Sequence, residues 1–305
     1  MSQDRPLLAI CIPTYNRQEI LQECLIDTIA KVEKYNFPII VTDNASTDQT
    51  KEIVQKFTKD YPYLIYHCQT ENLEADRNFE SCLKLSPASY SWLLGDSFRI
   101  VEEELDTLVS ILKQKQHCAI INNSLGRVKD IPCTTYTDPD RILYDIGWHM
   151  TMMCSLILSH DLIHNTNFQR YYDTNFIQDG IIFEYITTHP SSTIYWHDKN
   201  CISLTSLPKS SWQDQRWRIF GVNWTSYILS LPSSISLPTK CKCINEHNKR
   251  ERLFTFKRTV ILRLKGHYDL KTLQYCKPYQ KYFWDVPYIV PYLIAIAPKW
   301  LLKLL

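Results

Sequence analysis

Glycine is scarce, with only six in 305 residues. None falls in a GxGxxG, GxxxxGKS or GxxxxGKT arrangement, so the backbone N–H cradles of dinucleotide and P-loop phosphate sites are excluded. Long apolar runs are missing as well: no uninterrupted stretch reaches the roughly 18–20 residues that a spanning helix needs. Net charge is almost absent, with 34 Lys and Arg against 32 Asp and Glu. The whole-chain balance thus offers no attraction to nucleic acid, and none is expected as a partner. The opening MSQDRPLLAICIP lacks the charged start, apolar core and small-residue cleavage site of a secretory signal. Eleven cysteines at irregular spacings then read as reduced, mostly buried thiols in a cytoplasmic protein. Cys241 and Cys243, with His247 nearby, lack the second ligand pair that a structural zinc requires.

What is present is alternation. The first hundred residues pass between short β-rich apolar runs and helical periodicities, the pattern of βαβ units around a mostly parallel sheet. Strands are expected at Leu7–Ile12, Pro38–Thr42, Tyr63–His67 and Tyr90–Leu94, and helices at Gln18–Val32, Thr47–Phe57 and Glu74–Leu85. A helix over Glu102–Lys113 leads to a strand at His117–Asn122, after which the pattern turns irregular. A later helix is expected over Phe176–Thr187, entered through Gln178-Asp179-Gly180.

Ligands of an open parallel sheet bind outside the carboxyl ends of its strands. Here those ends read Pro13-Thr14-Tyr15-Asn16-Arg17, Asp43 to Asp48, Asn72, and Gly95-Asp96-Ser97, so every strand delivers acidic or hydrogen-bonding groups to one edge. Ser46 and Asp48 are the exceptions, better read as a cap and a helix-start charge. A diphosphate at this edge, without a glycine loop, needs a metal or arginines to balance it. Asp96 for the metal, and Arg77 or Arg17, are to hand, and the combination points to a nucleotide sugar.

The four strings Cys11–Arg17, Val41–Asp48, Asn72–Phe79 and Trp92–Asp96, in that order and at these intervals, resemble the successive motifs of family 2 glycosyltransferases. The likeness is greatest to the abequosyltransferase-like subgroup of bacterial surface-polysaccharide enzymes. It runs well over residues 7 to 100 and thins towards 217. The resemblance implies a GT-A fold, a Rossmann-like α/β domain over 1–220, followed by a helical C-terminal region over 221–305. It further implies inverting transfer of a sugar from a UDP- or dTDP-sugar to a saccharide, lipid-linked by family analogy, in capsule, O-antigen or related synthesis.

Residue by residue, Pro13, Thr14, Tyr15, Arg17, Asp43, Arg77 and Asp96 would hold the nucleotide sugar. Thr14 and Tyr15 would flank base and ribose, and Asp43 would hydrogen-bond the base. Asp96, with His197, would hold Mn²⁺ or Mg²⁺, although Leu94-Gly95-Asp96-Ser97-Phe98 carries one carboxylate where the family motif has two or three. Asp179, 83 residues after Asp96, would be the catalytic base, with Glu184 on the same helix its substitute. Gln213-Asp214-Gln215-Arg216-Trp217 fits the QxxRW pattern of processive synthases. Arg216 and Trp217, with Glu184, thereby become acceptor-side candidates, beside ordinary tryptophan packing.

Two other functions stay open at this stage. One is a nucleotidyltransferase of similar fold, the other a degenerate member that binds sugars or partners without turnover. The final segment KYFWDVPYIVPYLIAIAPKWLLKLL is apolar and aromatic with interspersed lysines. It fits a peripheral membrane contact or a helix packed on the domain or on a second subunit, as in a homodimer.

Overall fold

The computed structural model describes residues 5–205, 215–252, 254–283 and 286–303. The chain divides into two compact units, Met1–Pro208 and Lys209–Leu305.

The first unit runs β1 (Leu8–Thr14), α1 (Gln18–Val32), β2 (Ile39–Asp43), α2 (Thr50–Asp60), β3 (Leu64–Cys68), α3 (Glu74–Lys84), β4 (Tyr90–Leu93), β5 (Phe98–Ile100), α4 (Glu102–Lys113), β6 (Ala119–Asn122), β7 (Thr134–Tyr136), α5 (Pro139–Ile146), β8 (Leu156–Ser159), α6 (His160–His164), α7 (Ile177–Thr188), β9 (Ile194–His197) and β10 (Ile202–Leu204). Eight strands form one sheet in the order β3-β2-β1-β4-β8-β6-β9-β7, and β10 pairs with β5 apart from it. β1 to β4 are parallel, as is β6 with β9. The expected α/β class, a mostly parallel sheet flanked by helices, is what forms.

All seven residues of β1 are buried because it lies between β2 and β4 with helices above and below. Side chains alternate across a strand. Leu8, Ile10 and Ile12 join Leu21 and Leu25 of α1 and Leu105 and Leu108 of α4 in one core. Cys11, on the other face, meets α3, its Sγ 3.5 Å from the Cys82 carbonyl.

The stretch after Asn122, read as irregular, contains β7, α5 and β8. β8 inserts antiparallel between β4 and β6. Its four residues, Leu156–Ser159, are too few to display a period, so the strand shows only once its two neighbours are in place.

The second unit is helical. A π-helix at Trp217–Asn223 continues into α8 (Trp224–Ser230), followed by α9 (Leu237–Glu251), α10 (Phe256–Lys265), α11 (Leu270–Cys276), α12 (Gln280–Phe283), α13 (Ile289–Ile296) and α14 (Lys299–Leu302). Side-chain caps start three of them: Ser236, Thr255 and Asp269 accept the N–H of Thr239, Arg258 and Thr272. Among the described residues no helix is long and apolar enough to cross a membrane.

Candidate active site

β1, β2 and β4 lie side by side and end together. Thr14 is in register with Asp43, and the Asn44 N–H donates to the Thr14 carbonyl at 3.0 Å. The loops beyond are stitched to each other. Asn16 donates its N–H to Ser46 Oγ at 2.8 Å, and its Oδ1 accepts from the Thr47 N–H at 2.8 Å. Asp48 accepts from the N–H groups of Gln18 and Thr50. Asn16 and Ala45 adopt φ of 52° and 61°, and this left-handed turn at Ala45 brings the Ser46 N–H back onto Asp43 Oδ1 at 2.8 Å. Pro13 and Tyr15 flank Thr14, with the Tyr15 ring partly exposed.

Two buried carboxylates result. Asp43 accepts from Ser46 on one oxygen and from Tyr66 Oη at 2.7 Å on the other, and Cys68 Sγ lies 3.9 Å away. Burial and this carboxylate together push the Tyr66 hydroxyl upward. Asp96 sits past β4, its Oδ1 in a 2.8 Å ion pair with Arg17 Nη1 and its Oδ2 accepting from Thr14 Oγ1 at 3.2 Å. Arg17 Nη2 also donates to Ser97 Oγ at 2.7 Å. Burial raises the Asp96 carboxyl, and the Arg17 charge and the two hydroxyls oppose that rise. Thr14, Arg17 and Asp96 are thus brought into one network, with Asp43 joined to it through the backbone.

Arg77 is on α3, its Nη1 3.1 Å from Asp173 and its guanidinium over the Tyr172 ring at 4.3 Å. Its neighbour Asp76 points into the protein and holds the loop that leads to α7: Oδ2 accepts the Asn175 N–H at 3.0 Å. Thr174 and Ile177 N–H groups also favour its charged form, but burial outweighs them and the carboxyl is pushed up to about 6. α7 is apolar nearly all round, which is why it is buried. Gly180 is required there, since a Cβ would lie 2.4 Å from the Tyr171 ring.

Asp179, in the first turn of α7, is 1% exposed, and among the described residues neither carboxylate oxygen has a hydrogen-bond partner. Desolvation pushes its carboxyl well above the usual range. Glu184, by contrast, is occupied, accepting from Arg170 Nη1 and Tyr171 Oη at 2.8 Å each.

The expected metal ligands are not assembled. His197 donates from Nε2 to the Glu104 carboxylate at 3.2 Å, and its Nδ1 lies 3.9 Å from Cys133 Sγ. Among the described residues no three His, Cys, Asp or Glu side chains converge on a point. Asp96, a lone carboxylate already neutralised by Arg17, does not fit a resident hard cation, which takes six or more oxygens. Trp217 is buried within the second unit, stacked on Tyr268 at 4.7 Å, so packing accounts for it. Arg216, half-buried, precedes it on the same turn, while Gln213 and Asp214 lie outside the described residues.

The contacts of Tyr66 and Asp76 escaped the sequence reading. Tyr66 reaches Asp43 across the β2–β3 register, which no local pattern displays. Asp76 stands beside Arg77 in the third motif, and that adjacency is the one signal that marks it.

Comparison with known proteins agrees with this geometry. The family model for glycosyl transferase family 2 matches residues 9–148. Abequosyltransferase RfbV of Salmonella typhimurium is 38% identical over 109 residues, covering 35% of this chain and 32% of that protein. The chain therefore spans about a third of that relative's length. Among solved structures, residues 1–349 of TarS from S. aureus in complex with UDP-GlcNAc superpose with a TM-score of 0.62 at 16% identity, covering 93% of this chain and 82% of that one. The mannosyltransferase PcManGT of Pyrobaculum calidifontis, in complex with GDP-Man and Mn²⁺, gives 0.55 at 13% identity, covering 95% and 86%. Identities this low speak to fold, and the fold is GT-A. Residues 9–148, which begin on β1 and carry Thr14, Asp43, Arg77 and Asp96, match glycosyl transferase family 2.

Proposed function

We propose that the first unit is an inverting glycosyltransferase that moves one sugar from a nucleotide diphosphate sugar to a saccharide acceptor in surface-polysaccharide synthesis. The observation that carries this reading is the convergence of β1, β2 and β4 on Thr14, Asp43 and Asp96 at one sheet edge. Its support comes from the family match over residues 9–148 and from similarity to an abequosyltransferase and a glucosyltransferase.

In this reading Asp43 accepts from the nucleobase, and Thr14 and Tyr15 border the base and ribose. Arg17 and Arg77 face the diphosphate with guanidinium groups suited to bidentate phosphate contact. Asp179 is the base. Its burial raises proton affinity, the property a carboxylate needs to take a proton from a hydroxyl. As the acceptor oxygen bonds to the anomeric carbon, its proton passes to Asp179. The bond from that carbon to the donor's phosphate oxygen breaks, and the electron pair leaves with the nucleoside diphosphate. One displacement inverts the centre. No step is assigned to a metal ion, since Asp96 and His197 do not build a site for one.

Calorimetric titration with UDP, dTDP, GDP and CDP, each with and without Mn²⁺, tests the donor site. Saturable binding of one nucleotide that is lost in Asp43→Ala is the expected result. Failure of all four to bind would refute the nucleotide-sugar reading and favour a member of the fold that binds without turnover.

A further inference from the structure

The near-neutral total conceals a division of charge. Residues 209–305 hold 17 Lys and Arg against 5 Asp and Glu, a net charge of +12, whereas residues 1–208 hold 17 against 27, a net charge of −10. The basic unit also exposes an apolar face. α13 turns Pro291, Ile294 and Ala295 inward, where it packs against α10 and α11. Ile289, Tyr292, Leu293 and Ile296 return on its opposite side, and Trp300 and Leu301 extend the patch along α14. Trp300 is 68% exposed, far above what a tryptophan retains in a protein interior. Lys299 and Lys303, both exposed, flank Trp300 and Leu301 within this patch, and no acidic residue occurs between 286 and 303. α10, which packs against both α13 and α14, contributes Lys257, Arg258, Arg263 and Lys265. A cleft of about 670 Å³ at its N-terminal end is bordered by Lys249, Arg252, Lys257 and Arg258, with Glu251 the one carboxylate among them.

We propose that this face of the second unit, α13 and α14 with their flanking cations, docks on an anionic phospholipid bilayer. The charge of this unit favours that occupant over a second copy of the chain. An isologous dimer through this patch would set Lys299 and Lys303 of one +12 unit against those of another, with no carboxylate in the patch to answer them. An acidic membrane answers both features. Its headgroups take the lysines, and its interface takes the tryptophan and tyrosine rings, with Ile, Leu and the lysine stems beneath them. Neither helix is required to span the bilayer, and none of those described can. This inference stands apart from the glycosyl-transfer reading, because docking is measured without donor or acceptor.

The test is sedimentation of the full chain with vesicles of phosphatidylglycerol and phosphatidylethanolamine, and separately with vesicles of phosphatidylcholine alone, at low and high salt. Binding to the anionic vesicles is expected to exceed binding to the neutral ones by tenfold or more and to weaken with salt. Replacing Lys299→Gln and Lys303→Gln should weaken it by about fivefold per lysine. The pair Ile296→Ser and Trp300→Ser should weaken it further at all salt concentrations. All four side chains are exposed, so the variants should keep the parent's thermal unfolding and its nucleotide affinity. Equal binding to both vesicle types, absence of binding, or undiminished binding by the serine pair would overturn the proposal. So would sedimentation velocity showing a dimer that the serine pair dissolves.

Discussion

Replacing Asp179 by asparagine separates catalysis from stability and moves them in opposite directions. The side chain keeps its size and loses its proton chemistry. With the general base gone, kcat should fall by about 10²- to 10⁴-fold. In the parent, the rate should climb with pH through an ionisation well above the ordinary aspartate range, since the carboxyl must be deprotonated to act and burial resists that. Stability follows from the same burial. An unfolded aspartate ionises near pH 4. The folded carboxyl, without a hydrogen-bond partner on either oxygen among the described residues, holds its proton to higher pH. Between those two points the unfolded chain has given up a proton that the folded chain keeps, so stability drains away as pH rises, by up to about 1.4 kcal/mol per pH unit. The asparagine variant has no such proton, and the loads from all other carboxyls cancel in the comparison. Its melting temperature should therefore draw ahead of the parent's as pH rises above the ordinary aspartate range, by up to roughly 3–6 °C per pH unit while the folded carboxyl keeps its proton. Scanning calorimetry across pH, alongside initial rates, reads both. An asparagine variant that retains activity would remove Asp179 from the chemistry. One whose melting temperature tracks the parent's at every pH would show that the carboxyl is ionised and solvated, against the structure.

Three other substitutions test the surrounding framework. Arg17→Ala leaves the Asp96 carboxylate buried without its cation, which should cost about 3–5 kcal/mol in urea unfolding, and adding Asp96→Asn should recover much of that loss. Gly180→Ala drives a methyl into the Tyr171 ring and should lower stability by about 1–3 kcal/mol, with Tyr171→Leu in the same chain relieving the clash. Asp76→Ala removes the acceptor that secures the entry to α7. It should raise amide exchange over residues 174–180 and lower kcat while the nucleotide Kd stays put.

The parts of this protein written in short-range pattern were readable before folding. α1 was expected over Gln18–Val32 and forms there, because its apolar positions recur at the helical period and Pro13 to Arg17 breaks the chain before it. Thr14, Asp43 and Asp96 come together for a related reason: each stands at or just past the end of an apolar strand, and a parallel sheet gathers such ends on one edge. Partnerships made across the sheet were not readable. Nothing near Asp43 announces Tyr66, and nothing near Asp96 shows that Arg17 will hold it in a 2.8 Å ion pair in place of a cation site. Trp217 is the reverse case, where a local match to QxxRW drew attention to a residue whose neighbours, Tyr268 and Phe254, lie far along the chain. Asp179 was located by its position at a helix start, but its isolation comes from apolar residues on every side of α7.

The contact between Cys68 and Asp43 gives the protein a reporter of its own. Most of the described cysteines are buried, and burial pushes the thiols of Cys24, Cys118, Cys154 and Cys276 up to about 12, which leaves them inert to disulfide reagents at neutral pH. Cys68 is exposed at the end of β3, its sulfur 3.9 Å from the Asp43 carboxylate. If a base seats on Asp43 as proposed, it covers that sulfur, and the colour released by a thiol reagent, timed with and without each nucleotide, then reads nucleotide binding at this sheet edge in an unlabelled protein, with exposed Cys133 as the internal clock.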